Sequence, residues 1–175
     1  RVPDARRCEE EAAPRVASWS PAGTVRWGNT QTFALRVERL SYSYGDTSRV
    51  TLTNTSSGGA STGPRDRHNL QRYTAAGWQD VRVWEDGRSL PAPGYAVSHS
   101  PNDGFSWDLV LTEAGVVGAS GFARDDVDVC PPLGTGRYRF VFWPSGETGL
   151  AVAFDLRRDP TAVDTYRRTA TEGSR

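Results

Sequence analysis

The chain contains no lysine and no methionine, only two cysteines and two histidines, and no net charge. Each shortage excludes something. Twenty-one basic residues, every one of them arginine, balance 21 acidic ones, so the electrostatic footprint of a nucleic-acid binder is absent. Adsorption to anionic lipid has no basis either. The arginines are scattered along the chain, which reads as the coding bias of a GC-rich genome and not as an assembled anion site. No apolar run approaches the length of a membrane span. The two histidines and two cysteines lie far apart and lack metal-ligand spacing, so neither a metal nor a cofactor is expected. No signal peptide is visible, and the chain starts at Arg1; the natural N-terminus is expected to lie further upstream.

What remains is apolar alternation punctuated by Gly, Pro, Asn and Ser. The most informative stretch is Leu133 to Trp143. It reads as a loop, a hinge at Gly136, and a strand with Tyr138, Phe140 and Phe142 on one face and Arg137, Arg139 and Val141 on the other. A tyrosine two residues after such a glycine, heading a late strand, is the pattern of a tyrosine corner, in which the hydroxyl turns back to upstream backbone. Other strands are expected around Phe33–Val37, Val50–Asn54, Leu70–Tyr73, Trp78–Trp84, Phe105–Leu111 and Leu150–Leu156. Thr74-Ala75-Ala76-Gly77 is expected to close a hairpin. Residues 54–64, 88–104 and 113–132 read as loops, the second with the alternative of a weak edge strand. No long helix is expected. The sum is an all-β chain, an antiparallel sandwich of about seven short strands.

Residues 1–31 are expected to form an extended N-terminal arm, residues 32–158 the sandwich, and residues 159–175 a polar tail. Trp19 and Trp27 in the arm imply that part of it packs on the domain. Trp84, Arg82 and Trp143 fall on strand faces opposite the core. They are expected to pack internally or against the arm, the alternative being an exposed binding patch. Cys8 and Cys130 suggest one long-range disulfide made in an oxidising compartment, against the alternative of two free thiols. Such a loop closure is worth about 4–5 kcal/mol in the chain-entropy model.

Three further patterns carry chemistry. Gly59-Ala60-Ser61-Thr62-Gly63 matches the G-x-S-x-G string. A nucleophile elbow requires a helix directly after the serine, and none is signalled; His68 and His99, the only candidate bases, sit in no catalytic motif. No catalytic residue is therefore expected, and the chain is expected not to be an enzyme. Asp125, Asp126 and Asp128 form a candidate Ca²⁺ site or, alternatively, a solvated acidic loop, because the Asp-x-Asp-x-Asp-Gly spacing is missing. Asn54-Thr55-Ser56 is an N-glycosylation sequon or turn chemistry.

Four strings, in order, carry a family resemblance: Val50-Thr51-Leu52-Thr53-Asn54-Thr55-Ser56; Tyr73 followed by Gly77-Trp78; Gly104-Phe105-Ser106-Trp107; and Leu133 to Phe140. Over roughly residues 33–157 the chain resembles the immunoglobulin-like domains of prokaryotic exported and cell-surface proteins. Its Arg-rich wording is especially similar to uncharacterised haloarchaeal members. Phe140 stands where antibody-type domains carry the late-strand cysteine. The resemblance implies an immunoglobulin-like β-sandwich and an extracellular or cell-surface module, non-catalytic, for adhesion, cohesion or surface assembly with a protein partner. The alternative is a proteinase-inhibitor-like module presenting a loop from residues 57–69 or 88–104.

Overall fold

Strict period-two alternation becomes strand wherever both faces find partners. The computed structural model describes residues 15–84, 94–121 and 126–159. Along it run β1 (Thr24–Trp27), β2 (Phe33–Val37), β3 (Ser41–Ser43), β4 (Thr47–Asn54), β5 (Ala60–Thr62), β6 (His68–Thr74) and β7 (Gly77–Asp80). They are followed by β8 (Arg82–Trp84), β9 (Val97–His99), β10 (Gly104–Val110), α1 (Glu113–Gly118), β11 (Val127–Val129), β12 (Gly136–Ser145) and β13 (Thr148–Arg157). The chain is all-β apart from one short helix among the described residues.

A three-stranded sheet, β10-β4-β2, and a six-stranded sheet, β1-β13-β12-β6-β7 with β3 also on β13, share one core. Phe33, Leu35, Val50, Leu52, Trp107 and Leu109 enter it from the first sheet; Leu70, Tyr138, Phe140, Phe142, Leu150 and Phe154 enter it from the second. Burying each of these side chains contributes roughly 1.5–3 kcal/mol. The outer face of the smaller sheet meets water, as antiparallel sheets allow: Arg49 and Asp108 pair there at 2.8 Å with both side chains more than half exposed.

Several expectations need correcting. The pairing is not purely antiparallel, since β1 and β3 both run parallel to β13. The stretch Trp78–Trp84 is two strands in two sheets: β7 pairs with β6, whereas β8 pairs with β11, and the chain steps between them at the fully buried Val81. Residues 54–64 are not all loop, because β5 pairs with β9 from the second expected loop. Residues 113–132 contain α1 and β11. The Thr112 hydroxyl accepts a hydrogen bond from the Gly115 N–H and starts the helix; two glycines and two valines in six residues explain why it goes no further. Described from Arg15 on, the arm packs on the domain: it supplies β1 as an edge of the larger sheet, and Val16 packs with Trp84 and Val127.

Tyr138 heads the core half of β12, and its hydroxyl donates to Gly134 O at 2.7 Å while accepting from Gly134 N at 3.2 Å. The phenol thus turns back onto upstream backbone. The contacted glycine is Gly134; Gly136 instead makes room for Arg72, whose Nε would lie 2.8 Å from a Cβ there. Tyr138→Phe removes both bonds and leaves two backbone groups of a half-buried corner without their side-chain partner. It is expected to cost about 2 kcal/mol, read as a lower urea midpoint at unchanged m-value.

Candidate interaction face

The outer face of the six-stranded sheet divides in two. Registers place Trp27 opposite Ala151, Ala151 opposite Val141, Arg139 opposite Ala153 and Gln71, and Trp78 opposite Tyr73. Paired residues share a face, so all of these side chains leave the sheet on the side away from the core.

Over one half lies the arm. Trp143, Val141 and Ala151 are buried beneath Trp19 and Val25. A polar network ties the arm down. The Trp19 indole N–H donates to His68 O at 3.2 Å, the Asn69 amide donates to Ala17 O at 3.0 Å and to Asp80 Oδ2 at 2.9 Å, and the Trp143 indole donates to Asn69 Oδ1 at 3.0 Å. Asp80 holds Arg82 through two parallel bonds of 2.9 Å, with both side chains 1% exposed. Arg15 donates to Asp80 O and Cys130 O. Trp84 and Trp143, together with Arg82, are therefore interior side chains under or beside the arm.

The other half is open. Trp27 is 55% exposed and Tyr73 38% exposed. Their rings flank Trp78, with centroids 6.1 Å and 5.0 Å from it and tilts of 57° and 48°. The Arg139 guanidinium lies 4.6 Å from the Trp78 ring centre and 5.8 Å from that of Trp27, within cation–π range of both. Its Nε donates to Gln71 Oε1 at 2.7 Å. Burial pushes the guanidinium down to about 10, so it remains a cation at neutral pH. No carboxylate among the described residues pairs with it. Asp155 of the same sheet is engaged by Arg137 at 3.5 Å.

The residues singled out from sequence are placed elsewhere. Ser61 is exposed on β5, opposite Ser98, with its strand neighbours Ala60 and Thr62 turned to the other face. His99 is buried on that other face, 2.9 Å from Thr62 Oγ1. His68 is buried against Phe140. No helix follows Ser61, and neither imidazole bonds to it. Asn54 corrects the sequon reading: it is fully buried and its Nδ2 donates to Gly58 O at 2.9 Å and His99 O at 3.0 Å. A glycan at that nitrogen would replace a bonded hydrogen inside the fold. Asp125 lies outside the described residues. Asp128 is exposed on β11 and caps the N–H of Val129. Among the described residues no group of three or more His, Cys, Asp or Glu could hold a metal. No described cysteine is a free thiol; Cys8, the expected partner of Cys130, lies outside the described residues, as do residues 160–175 of the tail. Among the described residues no helix is long and apolar enough to cross a membrane.

A second buried polar cluster lies where α1 meets the residue after β13. Glu113 accepts from the Tyr44 hydroxyl, from Arg158 Nη1 at 2.6 Å and from Leu133 N at 3.0 Å. Burial would raise the Glu113 carboxyl, but these hydrogen bonds and the Arg158 charge outweigh it and hold it below the usual range. Burial, with the Glu113 contact, pushes the Tyr44 phenol up to about 12. The Glu113 carboxylate is met by three donors within the fold, so the cluster reads as structural.

The interaction face was not legible as a unit. Arg139 was placed opposite the core, Trp27 in the arm, and Tyr73 and Trp78 on a hairpin, but only the parallel pairing of β1 with β13 brings the four together. No protein-family model and no curated protein matches the chain. Among solved structures, the chain is similar to a β-glucosidase from Erythrobacter marinus at 14% identity and a TM-score of 0.36, over 71% of this chain and 15% of that one. It is also similar to the sulfur carrier protein SoxY from Chlorobium limicola f. thiosulfatophilum at 6% identity and a TM-score of 0.29, over 78% of this chain and 86% of that one. At these scores neither likeness bears on fold or activity.

Proposed function

We propose that the chain is a non-catalytic interaction module of an exported or cell-surface protein, built as an immunoglobulin-like sandwich, with the Trp27–Tyr73–Trp78–Arg139 face as its binding surface. The single observation that carries the binding reading is that face: exposed aromatic rings gathered around a cation that has no acid partner among the described residues. Trp, Tyr and Arg are the side chains that dominate interface energetics. The immunoglobulin-like assignment is supported by two sheets over one core and by the Tyr138 hydroxyl turned onto Gly134 at the head of a late strand. Export is supported by Cys130, which is not a free thiol in a chain whose only other cysteine is Cys8. A Cys8–Cys130 disulfide belongs to this proposal, and a denatured, unreduced protein that takes up no alkylating reagent is its expected signature. The loop-presenting inhibitor has no specific support, because the two segments offered for it pair with each other through β5 and β9.

The test is binding of the fluorescently labelled chain to whole cells of the source organism. Saturable binding is expected, competed by excess unlabelled chain and weakened at least tenfold in Trp27→Ala/Trp78→Ala. Absence of saturable binding, or binding indifferent to that double variant, overturns the reading.

A further inference from the structure

We infer that the partner of this face is a protein segment presenting an Asp or Glu carboxylate beside apolar side chains, and that the carboxylate seats on the terminal nitrogens of Arg139 between Trp27 and Trp78. The inference rests on the interaction-face reading and adds the chemistry of the partner.

The polar inventory of the open face is one-sided. Arg139 has five N–H donors and no acceptor. Its Nε is spent on Gln71 Oε1, which also occupies the acceptor end of the Gln71 amide. What the face still offers is mainly donors: the two terminal nitrogens of Arg139, the amide nitrogen of Gln71 and the indole N–H groups of Trp27 and Trp78, with the Tyr73 hydroxyl able to donate or accept. A cationic, donor-rich set favours an anionic acceptor, and a carboxylate accepts from a guanidinium through two parallel bonds. The acid on β13 nearest this face, Asp155, is taken by Arg137, so the carboxylate must come from outside the described fold. Half-burial has already removed part of the guanidinium's water, which lowers the cost of pairing it and raises the strength of the pair.

The rings decide the class of ligand. Trp27 and Tyr73 tilt by 57° and 48° against Trp78, so they form a ridged pocket and not the flat platform on which a sugar ring would lie. Zero net charge argues against a polyanionic backbone as the partner. Apolar side chains around one carboxylate fit all three rings and the cation.

The experiment is selection of a displayed random 12-residue peptide library on the full chain, followed by titration of synthetic versions of the enriched peptides. The enriched peptides are expected to share an Asp or Glu next to apolar residues. Arg139→Gln, or exchange of that acid for its amide, should each weaken binding about 30-fold, and the two changes together little more than either alone. Arg139→Lys, which keeps the charge and the stem, should retain folding and part of the affinity, separating lost recognition from lost structure. Peptides that lose binding in Trp27→Ala/Trp78→Ala but tolerate Arg139→Gln overturn the carboxylate inference and leave the interaction face standing. Peptides indifferent to all of these variants, or no enrichment at all, overturn both. A concentration-dependent dimer in sedimentation that Arg139→Gln dissolves makes a second copy the occupant and overturns the assignment to a separate partner.

Discussion

Asp80→Ala is expected to cost about 3–5 kcal/mol, because it strips a two-bond carboxylate from a buried guanidinium. Asp80 is 1% exposed and receives four bonds: Arg82 N, Nε and Nη2, each at 2.9 Å, and Asn69 Nδ2 at 2.9 Å. Alanine takes that carboxylate from the Arg82 guanidinium, itself 1% exposed, which keeps its bond to the carbonyl of His68 at 3.1 Å. A domain of this size has a total stability of about 5–15 kcal/mol, so the variant is expected near the threshold of folding. Guanidinium unfolding at neutral pH measures it. The companion Asp80→Leu/Arg82→Met, which removes both charges, should recover at least half of the loss, since a buried ion pair replaced by apolar groups is often neutral. A double variant as unstable as Asp80→Ala would mean that the hydrogen bonds to Asn69 and to the Arg82 N–H, and not the uncompensated charge, set the cost.

The same change is expected to act at a distance. Asn69 bridges Asp80 to Ala17 O, and Arg15 bonds Asp80 O; through these contacts the network fixes the arm, and the arm delivers β1 with Trp27. Limited proteolysis should therefore cut the arm of Asp80→Ala faster than that of the parent under conditions where both domains are folded. The open half of the sheet face is thus expected to feel the closed half: the β1–β13 ladder sets Trp27 opposite Ala151, and the polar layer under the arm anchors the segment that leads into β1.

The strands that carry the core were readable because their neighbours alternate. Tyr138, Phe140 and Phe142 point one way and Arg139 and Val141 the other, and no tertiary information is needed to see it. The break at Val81 was not readable. Val81 and Val83 keep period two with Arg82 and Trp84, so local pattern allows one strand; the switch of sheets is made by the Val81 N–H bonding Leu70 O while Arg82 turns to Asp80. Asn54 shows the same limit in another form. Its turn chemistry was legible, and Ser56 N does bond Asn54 Oδ1 at 3.0 Å. Its burial was not, because the covering carbonyl belongs to His99, far along the chain. The open face failed for the reason given by topology: a parallel edge strand pairs residues from the two ends of the sequence, and nothing in a window of either end announces the other.

Acid is expected to destabilise the fold well before its carboxylates titrate, because of His68. The ring is buried, stacked on Phe140 at 5.0 Å and 20°, with Trp107 edge-on at 6.3 Å. Its Nδ1–H donates to Arg65 O at 3.1 Å, which leaves the neutral tautomer satisfied there. Burial first, and the nearby Arg82 charge second, push its pKa down to about 3. The unfolded chain binds a proton at its ordinary value of about 6.5; the folded chain does not until about pH 3. Between those limits the unfolded state holds more protons, so stability rises with pH. The His68 contribution is full above pH 6.5 and is lost as pH falls, amounting to about 2.5 kcal/mol at pH 4.5. Glu113 and Asp108, whose pKa values are lowered, have the opposite assignment: their stabilisation is present above their unfolded values and disappears only below them. The window from pH 7.5 to 4.5 therefore isolates the histidine. Urea midpoints across that window should fall steadily in the parent and stay nearly level in His68→Phe, whose ring can keep the stack on Phe140. A parent curve as flat as the variant's would mean that His68 accepts a proton within the fold, and that the core around Phe140 and Trp107 is wetter than its packing implies.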